Sequence, residues 1–381
     1  MIEFVYNLSM DITLQIQLFP DTDQSNGLRG TVERFNEACN WIAGELFDRK
    51  LSNRIEAQRL LYHQIRERFA LTAQTAILAI RRVCEAYKRD KAIQVKFRVH
   101  AAITYDPRVL RFIGLDKVNL WTIAGRLTVP IIMGKYQAER FTTAKGQCDL
   151  VLRKDGKWFL LATVKVPDGT PIPTTDFLGV DLGLAEIATD SDGNSHSGKD
   201  VEAVRRKHNL QRKRLQKRGT KGAKKKLKRV SGKEARFRKH QNHVISKTIV
   251  ELAKGTGRGI AVEDLTGIRG RLPAWSKDVR NRLGGWGFAQ LRLFIEYKAQ
   301  LSGLFVVAVD PRYTSQACSA CGHCSRDNRK SQARFSCVSC GISMNADKNA
   351  ARNIRVRALG TRKMPIGLAG DSILQPESPR L

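Results

Sequence analysis

The stretch FLGVDLGLAEIATDSDGNSHSG, residues 177–198, decides the fold. Apolar residues surround one carboxylate, Asp181; Gly183 follows, then an Asp-Gly pair at 192–193. Two strands with an Asp-Gly turn between them fit a β-hairpin beginning at Phe177. An acid in a buried strand is costly unless it is paired or holds a cation, which marks Asp181 as a candidate functional residue. Further on, GRGIAVEDL (257–265) and GLFVVAVD (303–310) are apolar runs bounded by glycine and read as buried strands of the same sheet. Glu263 ends the first of them; strand alternation leaves only one of Glu263 and Asp264 on the functional side. NADKNAARNIRVRAL (345–359) reads as a helix with Asn345 as N-cap and Asp347 in its first turn. Asp181 and Glu263 on neighbouring strands, faced by Asp347 from a helix, can jointly hold two Mg²⁺ ions about 3.5–4 Å apart, the arrangement that hydrolyses phosphodiesters. Asp176, Asp190, Asp192 and Asp310 read as turn or strand-end residues.

Charge narrows the partner. The 381 residues carry 67 Lys and Arg against 36 Asp and Glu, a net charge of +31 that exceeds what solubility requires and points to a polyanion. Residues 201–250 alone hold 19 basic residues against two acids. A Gly-Thr-Lys-Gly break near 219–222 divides them into two helices. In the second, Phe237, Val244, Ile245, Thr248, Ile249 and Leu252 form the packing stripe. The one-signed remainder, with Lys224, Lys225, Lys226, Lys228 and Arg229 at its centre, is a phosphate-tracking surface. No apolar run approaches the roughly 18 residues of a membrane span. The opening MIEFVYNLSMDI has no basic region followed by an apolar one, so a reducing cytoplasm is expected; Met1 and Met10 are both candidate starts.

Five of the eight cysteines crowd into residues 318–340. Cys318-x-x-Cys321 and Cys337-x-x-Cys340, 15 residues apart, match paired zinc knuckles, and each pair is followed by a glycine, Gly322 or Gly341. Four thiolates leave no open coordination position, so the expected Zn²⁺ is structural. His323 and Cys324 are the alternative ligands. Cys39, Cys84 and Cys148 read as small buried hydrophobes.

The first 170 residues have a different texture. ITLQIQLFPD (12–21) alternates like a half-buried strand; Leu28, Val32, Phe35, Cys39, Ile42 and Leu46, then Ala73, Ala76, Ile77, Ile80, Val83, Cys84 and Tyr87, recur at helical spacing. From about 93 to 166 come β-branched and aromatic runs, AIQVKFRVH, RLTVPIIM, CDLVLR and KWFLLATVKV, broken by turn signals. A β-barrel with a helical bundle inserted into it is expected, ending at the proline-punctuated linker TPIPTTD (170–176).

ITLQIQLFPDTDQ, GVDLG, IAVEDL, TSQACSACG, CVSCG and DKNAARNI occur in that order. With them the chain resembles TnpB, the family of RNA-guided nucleases encoded in bacterial and archaeal insertion sequences and related to type V CRISPR effectors. The resemblance implies an α/β plus β-barrel, multidomain fold: a RuvC nuclease of ribonuclease H type with a zinc-ribbon insertion, preceded by a wedge barrel holding a helical recognition domain. It divides the chain into wedge (1–24 and 93–169), recognition helices (25–92), RuvC-like nuclease (170–313, with basic helices 201–254), zinc ribbon (314–342), the last RuvC helix (343–359) and a disordered tail (360–381). It implies Asp181, Glu263 and Asp347 as the catalytic triad on Mg²⁺. Its partners are a guide RNA from the transposon end (omega RNA) and double-stranded target DNA, cut beside a short transposon-associated motif. A monomer, bound to no membrane and associated with the nucleoid, is expected. The family usually has an Asp-Arg pair before the last catalytic acid, where this chain has Asn345 and Ala346. Two alternatives stay open: a nuclease-inactive, guide-bearing repressor, and a miniature type V CRISPR effector.

Overall fold

The computed structural model describes residues 9–141, 146–265 and 287–360, which form two compact units divided at Pro167–Asp168. The choice of start codon, most of the basic stretch 269–292 and the tail beyond 360 lie outside the described residues.

In the first unit the chain runs through β1 (Ser9–Leu18), α1 (Thr22–Asp48), α2 (Arg54–Phe69), α3 (Ala73–Arg89), β2 (Ile103–Tyr105), β3 (Leu110–Ile113), β4 (Lys117–Thr122), β5 (Gly125–Ile132), α4 (Lys135–Arg140), β6 (Cys148–Leu152) and β7 (Trp158–Pro167). The strands form one antiparallel sheet in the order β2-β6-β7-β1-β5-β4-β3. Its two edge strands are consecutive in the chain, and the Tyr105 hydroxyl on β2 donates to the Trp121 carbonyl on β4 at 2.8 Å. The sheet therefore curls into a nearly closed barrel. Alternation buries Leu14, Ile16 and Leu18 of β1, and the helical stripe of α1 joins them in one core. Cys39, Cys84 and Cys148 lie in that core, where burial pushes their thiols up to about 12, 11 and 12.

AIQVKFRVH (92–100), expected among the strands, joins no sheet and ends in a turn at 99–100. Helix side chains take the place of a ladder: Asn40 bonds both ways with the Phe97 backbone, at 2.7 and 3.0 Å, and Asn36 donates to the Val99 and Ala101 carbonyls. Hydrophobic patterning cannot tell which partner will satisfy a backbone group.

The second unit contains β8 (Phe177–Asp181), β9 (Glu186–Asp190), β10 (Ser195–Ser197), α5 (Lys199–Arg218), α6 (Lys221–Val230), α7 (Lys233–Gly255), β11 (Gly259–Glu263), α8 (Phe288–Leu301), β12 (Val306–Val309), the short pair β13 (Arg334–Ser336) and β14 (Ser343–Asn345), and α9 (Ala346–Gly360). Its main sheet runs β10-β9-β8-β11-β12, with β8, β11 and β12 parallel. The hairpin expected at Phe177 is a three-stranded meander. Its Asp-Gly turn joins β9 to β10 rather than closing the first pair, and Asp190 Oδ1 accepts the amides of Asp192, Gly193 and Asn194 there.

The basic stretch forms three helices, not two. Gly219, at φ +63°, ends α5; Ser231-Gly232, with Gly232 at φ +81°, makes a second break. The face that α7 buries is also turned from the expected stripe. Val244 is 47% exposed, whereas Asn242 and Ser246 are buried beside Ile245 and Ile249. Those polar side chains have partners: Asn242 donates to Gln290 Oε1 (3.1 Å), and Lys298 donates to Ser246 Oγ (2.6 Å).

The two faces of the main sheet are packed differently. Leu178, Val180, Ile260 and Val262 point to α7 and α8, whereas Ala261 and Val309 pack on Ile354 and Ala358 of α9. Among the described residues no helix is long and apolar enough to cross a membrane.

Candidate metal centre and nucleic-acid interface

Parallel register sets the first two carboxylates side by side. Val180 pairs with Val262, so Asp181 and Glu263 are the next residues of β8 and β11, while Glu263 also pairs with Val309 and Asp181 with Thr189. Alternation turns these side chains to the α9 face. There α9 lies against β8 so closely that a Cβ on Gly179 would stand 2.7 Å from the Arg355 amide nitrogen. Asp181 lies two residues beyond Gly179, and Asp347 lies one turn before Ala351, whose carbonyl also touches that spot. Both offsets amount to roughly 6 Å, which brings Asp347 level with Asp181. Asn345 caps the helix, its Oδ1 accepting the amides of Asp347 (2.9 Å) and Lys348 (3.0 Å).

Glu263 and Asp347 are 8% and 7% exposed. Burial, reinforced by the charges of Glu263 and Asp347, pushes the Asp181 carboxyl up to about 8; burial also raises Glu263 and Asp347. Acids that burial holds protonated, with the charges of Glu263 and Asp347 adding to the effect on Asp181, form a donor set that a divalent cation relieves, and all-oxygen ligation suits a hard ion such as Mg²⁺. Asp264 takes no part, being drawn to Arg292 at 2.9 Å. Asp176 pairs with Arg355 (2.7 Å) and Asp192 with Arg258 (2.5 Å).

Four neighbours of this cluster escaped sequence reasoning. Arg329 approaches Asp347 at 3.7 Å, and its positive charge opposes the upward shift of all three acids. The Thr314 hydroxyl donates to Glu263 Oε1 at 2.5 Å. Thr189 and Gly179 face the cluster from β9 and β8. Gly179, inside GVDLG, and Thr314, at the head of TSQACSACG, lay in marked stretches; Arg329 and Thr189 arrive through tertiary contacts alone.

Cys318, Cys321, Cys337 and Cys340 converge with all four sulfurs within 4.8 Å of one another; among the described residues no other group of three or more His, Cys, Asp or Glu side chains is as tight. The Cys318–Cys340 and Cys321–Cys337 sulfurs are 3.7 and 3.6 Å apart. A tetrahedron with bonds of about 2.3 Å has edges of about 3.8 Å, so the set fits a zinc ion. Gly322 and Gly341 take φ of +79° and +71°, and their amides bond back to the Cys318 and Cys337 carbonyls. The Cys340 and Ser339 amides pull the Cys337 thiol down to about 6. Cys324 is exposed and outside the cluster.

This knuckle is fastened to α9. Asn349 accepts from the Ser319 amide (3.0 Å) and donates to the Ala317 carbonyl (2.8 Å); Asn353 donates to the carbonyls of Thr314 (2.8 Å) and Ala317 (2.7 Å). Ala346, one of the two positions that depart from the family pattern, is fully buried among Cys318, Phe335 and Cys337.

On α6, Lys224, Lys225, Lys226, Lys228 and Arg229 are all exposed. The two acids of the basic stretch are already engaged: Glu202 by Arg205 and Arg206, Glu234 by Arg212 and Arg238.

A TnpB-like protein of Methanocaldococcus jannaschii is 30% identical over 255 residues, a match that covers 63% of this chain and 90% of that protein. The chain belongs to the TnpB family. Within this TnpB-family chain, residues 162–267 match the family described as probable transposase, and residues 288–354 match the Cas12f1-like TNB domain. The CRISPR-associated endodeoxyribonuclease Cas12f1 of Sulfoacidibacillus thermotolerans is 34% identical over 222 residues, 53% of this chain and 51% of the relative. The putative RNA-guided DNA endonuclease InsQ of Escherichia coli is 30% identical, over 58% of each. The chain thus spans about half the length of these two relatives. The fold is shared with Cas12f1 in a cryo-electron microscopy structure of its complex with guide RNA and target DNA, at a TM-score of 0.62 and 16% identity over 88% of this chain and 83% of that one.

Proposed function

We propose that this TnpB-family chain is an RNA-guided, Mg²⁺-dependent DNA endonuclease of an insertion sequence. The observation that carries the reading is the convergence of Asp181, half-buried, with the buried Glu263 and Asp347, at the ends of two parallel strands and the start of a capped helix.

In this reading the three acids hold Mg²⁺, which when bound supplies an activated water and charge for the leaving oxygen of a phosphodiester. The chain's own residues hold that arrangement in place. Asn345 fixes the first turn of α9 and so the direction of Asp347. Thr314 orients Glu263, and Arg329 offers a guanidinium where a phosphate meets the acids. Cys318, Cys321, Cys337 and Cys340 hold a structural Zn²⁺ that stiffens the 314–342 ribbon, which Asn349 and Asn353 anchor to α9. Lys224, Lys225, Lys226, Lys228 and Arg229 follow nucleic-acid phosphates. The barrel segments 1–24 and 93–169 act as wedge and the helices of 25–92 as recognition domain, gripping an omega RNA from the transposon end. Base pairing then selects double-stranded DNA beside a short motif, and the protein acts as a monomer.

Asp181→Ala, Glu263→Ala and Asp347→Ala should each abolish plasmid cleavage with Mg²⁺ and guide while keeping guide-dependent DNA binding in a gel shift. Full cutting by any one of them removes that residue from the triad. Wild-type protein that binds its target without cutting means a repressor instead. The similarity to Cas12f1 favours one second reading, a guide drawn from a CRISPR array. Sequencing the RNA that copurifies with the protein separates the two.

A further inference from the structure

Only two buried side-chain polar atoms among the described residues lack a hydrogen-bond partner, Asn36 Oδ1 in the first unit and Thr189 Oγ1 in the second. Thr189 is 4% exposed and stands directly across from Asp181 in the β8–β9 ladder. Opposite residues of an antiparallel pair share a face, with Cβ atoms about 4.5–5.5 Å apart. The hydroxyl therefore belongs to the wall of the carboxylate cluster, yet it does not bond to Asp181. Valine has the same shape and suits a strand at least as well. A buried hydroxyl left without a partner lowers stability relative to that isostere, so an evident place for it is a bond formed only when something else enters the cluster.

We infer that Thr189 is a positioning residue of the metal centre, whose hydroxyl is reserved for the hydrated divalent cation held by Asp181, Glu263 and Asp347. This rests on the metal-binding role proposed above for those acids. Mg²⁺ and Mn²⁺ usually keep several waters when bound by carboxylates, and a hydroxyl, both donor and acceptor, can meet one of them whichever way it points. On the other side of the cluster, β12 contributes only the apolar Val309 opposite Glu263.

The test is Mn²⁺ binding by the full-length, zinc-loaded protein, followed by electron paramagnetic resonance without nucleic acid, beside thermal melting of the Mn²⁺-free protein. Thr189→Val should weaken Mn²⁺ binding by about three- to tenfold, one hydrogen bond's worth, while melting at the same temperature as wild type or higher. Thr189→Ser, which keeps the hydroxyl, should bind Mn²⁺ like wild type. A purely structural threonine gives the reverse pattern: Thr189→Val melts lower and Mn²⁺ affinity is unchanged. Asp181→Ala is the reference. If it loses Mn²⁺ binding but Thr189→Val does not, the inference about Thr189 fails alone. If Asp181→Ala also binds Mn²⁺ like wild type, the acids are not the metal centre and both readings fall. Should Thr189→Val not fold, Thr189→Ser with altered Mn²⁺ affinity overturns the inference and wild-type affinity upholds it.

Discussion

A single methyl group at Gly179 should separate the proposed nuclease activity from the fold. The Cβ of Gly179→Ala would lie 2.7 Å from the Arg355 amide nitrogen and 3.0 Å from Arg355 Cβ, and closer still to the Ala351 carbonyl oxygen. Most of these atoms are helix backbone, which cannot rotate aside. Restoring ordinary contact requires α9 to back away from β8 by about 1 Å, and overpacking of this kind costs about 1–3 kcal/mol. For a unit of this size that lowers the melting temperature by roughly 3–10 °C. The functional effect should be larger. Asp347 sits one turn from the clash, and a displacement of about 1 Å in a catalytic group costs about 100-fold in rate. The assay is single-turnover cleavage of a guide-matched plasmid with Mg²⁺, beside thermal melting. Gly222→Ala is the control: its Cβ meets nothing within 4 Å on α6, so cutting should be unchanged and melting equal or higher. Gly179→Ala protein that cuts within threefold of wild type and melts normally would refute the view that this contact sets the position of Asp347.

Three other outcomes follow from the site. Burial raises Asp181 to about 8, above its ordinary value near 4, so the protonated form favours folding. The metal-free protein should therefore lose stability as pH rises from about 4 through 8, and Mg²⁺ should restore it most at the upper end; thermal melts with and without Mg²⁺ at pH 5, 6.5 and 8 check this, and a flat difference sinks it. Asn353→Ala removes the bonds to Thr314 and Ala317 and should slow cleavage at least tenfold while zinc content stays near one per chain, whereas Cys318→Ser should lose the zinc as well; metal analysis beside the cleavage assay distinguishes them. Changing Lys224, Lys225, Lys226 and Lys228 together to Gln should flatten the log–log salt dependence of nucleic-acid binding by up to about 3, since each neutralised phosphate adds 0.7–0.9 to the slope; an unchanged slope means that these lysines only solvate α6.

Much of this was legible in the linear chain because it is written in local chemistry. The Cys-x-x-Cys pairs with their glycines single out the four cysteines whose sulfurs converge, without any coordinates, since left-handed turns at Gly322 and Gly341 are a property of short segments. The alternation in β1, the cap at Asn345 and the acids at the ends of apolar runs are equally local. Sequence erred where one pattern permits several partners. AIQVKFRVH has strand chemistry, but its Phe97 and Val99 backbone groups bond to Asn40 and Asn36 of α1 rather than to a neighbouring strand. Ser231-Gly232 reads as one punctuation mark among many, and only packing makes it a helix break.

Tertiary structure alone decided how the acids meet and what surrounds them. The level of Asp347 against Asp181 depends on an α9–β8 approach that only a residue without Cβ allows. Arg329, Thr314 and Thr189 reach the cluster from the four-cysteine knuckle, the segment leading into it and a neighbouring strand. Nothing in their own stretches of chain says that they meet the acids, although Thr314 opens the motif TSQACSACG, because a side chain's electrostatic surroundings are set by residues distant in sequence. The sequence by itself thus determined which groups are candidates for metal and phosphate, since that depends on residue type and local spacing. Which of them share one low-dielectric space was left to the packing of α9 and the knuckle on the sheet.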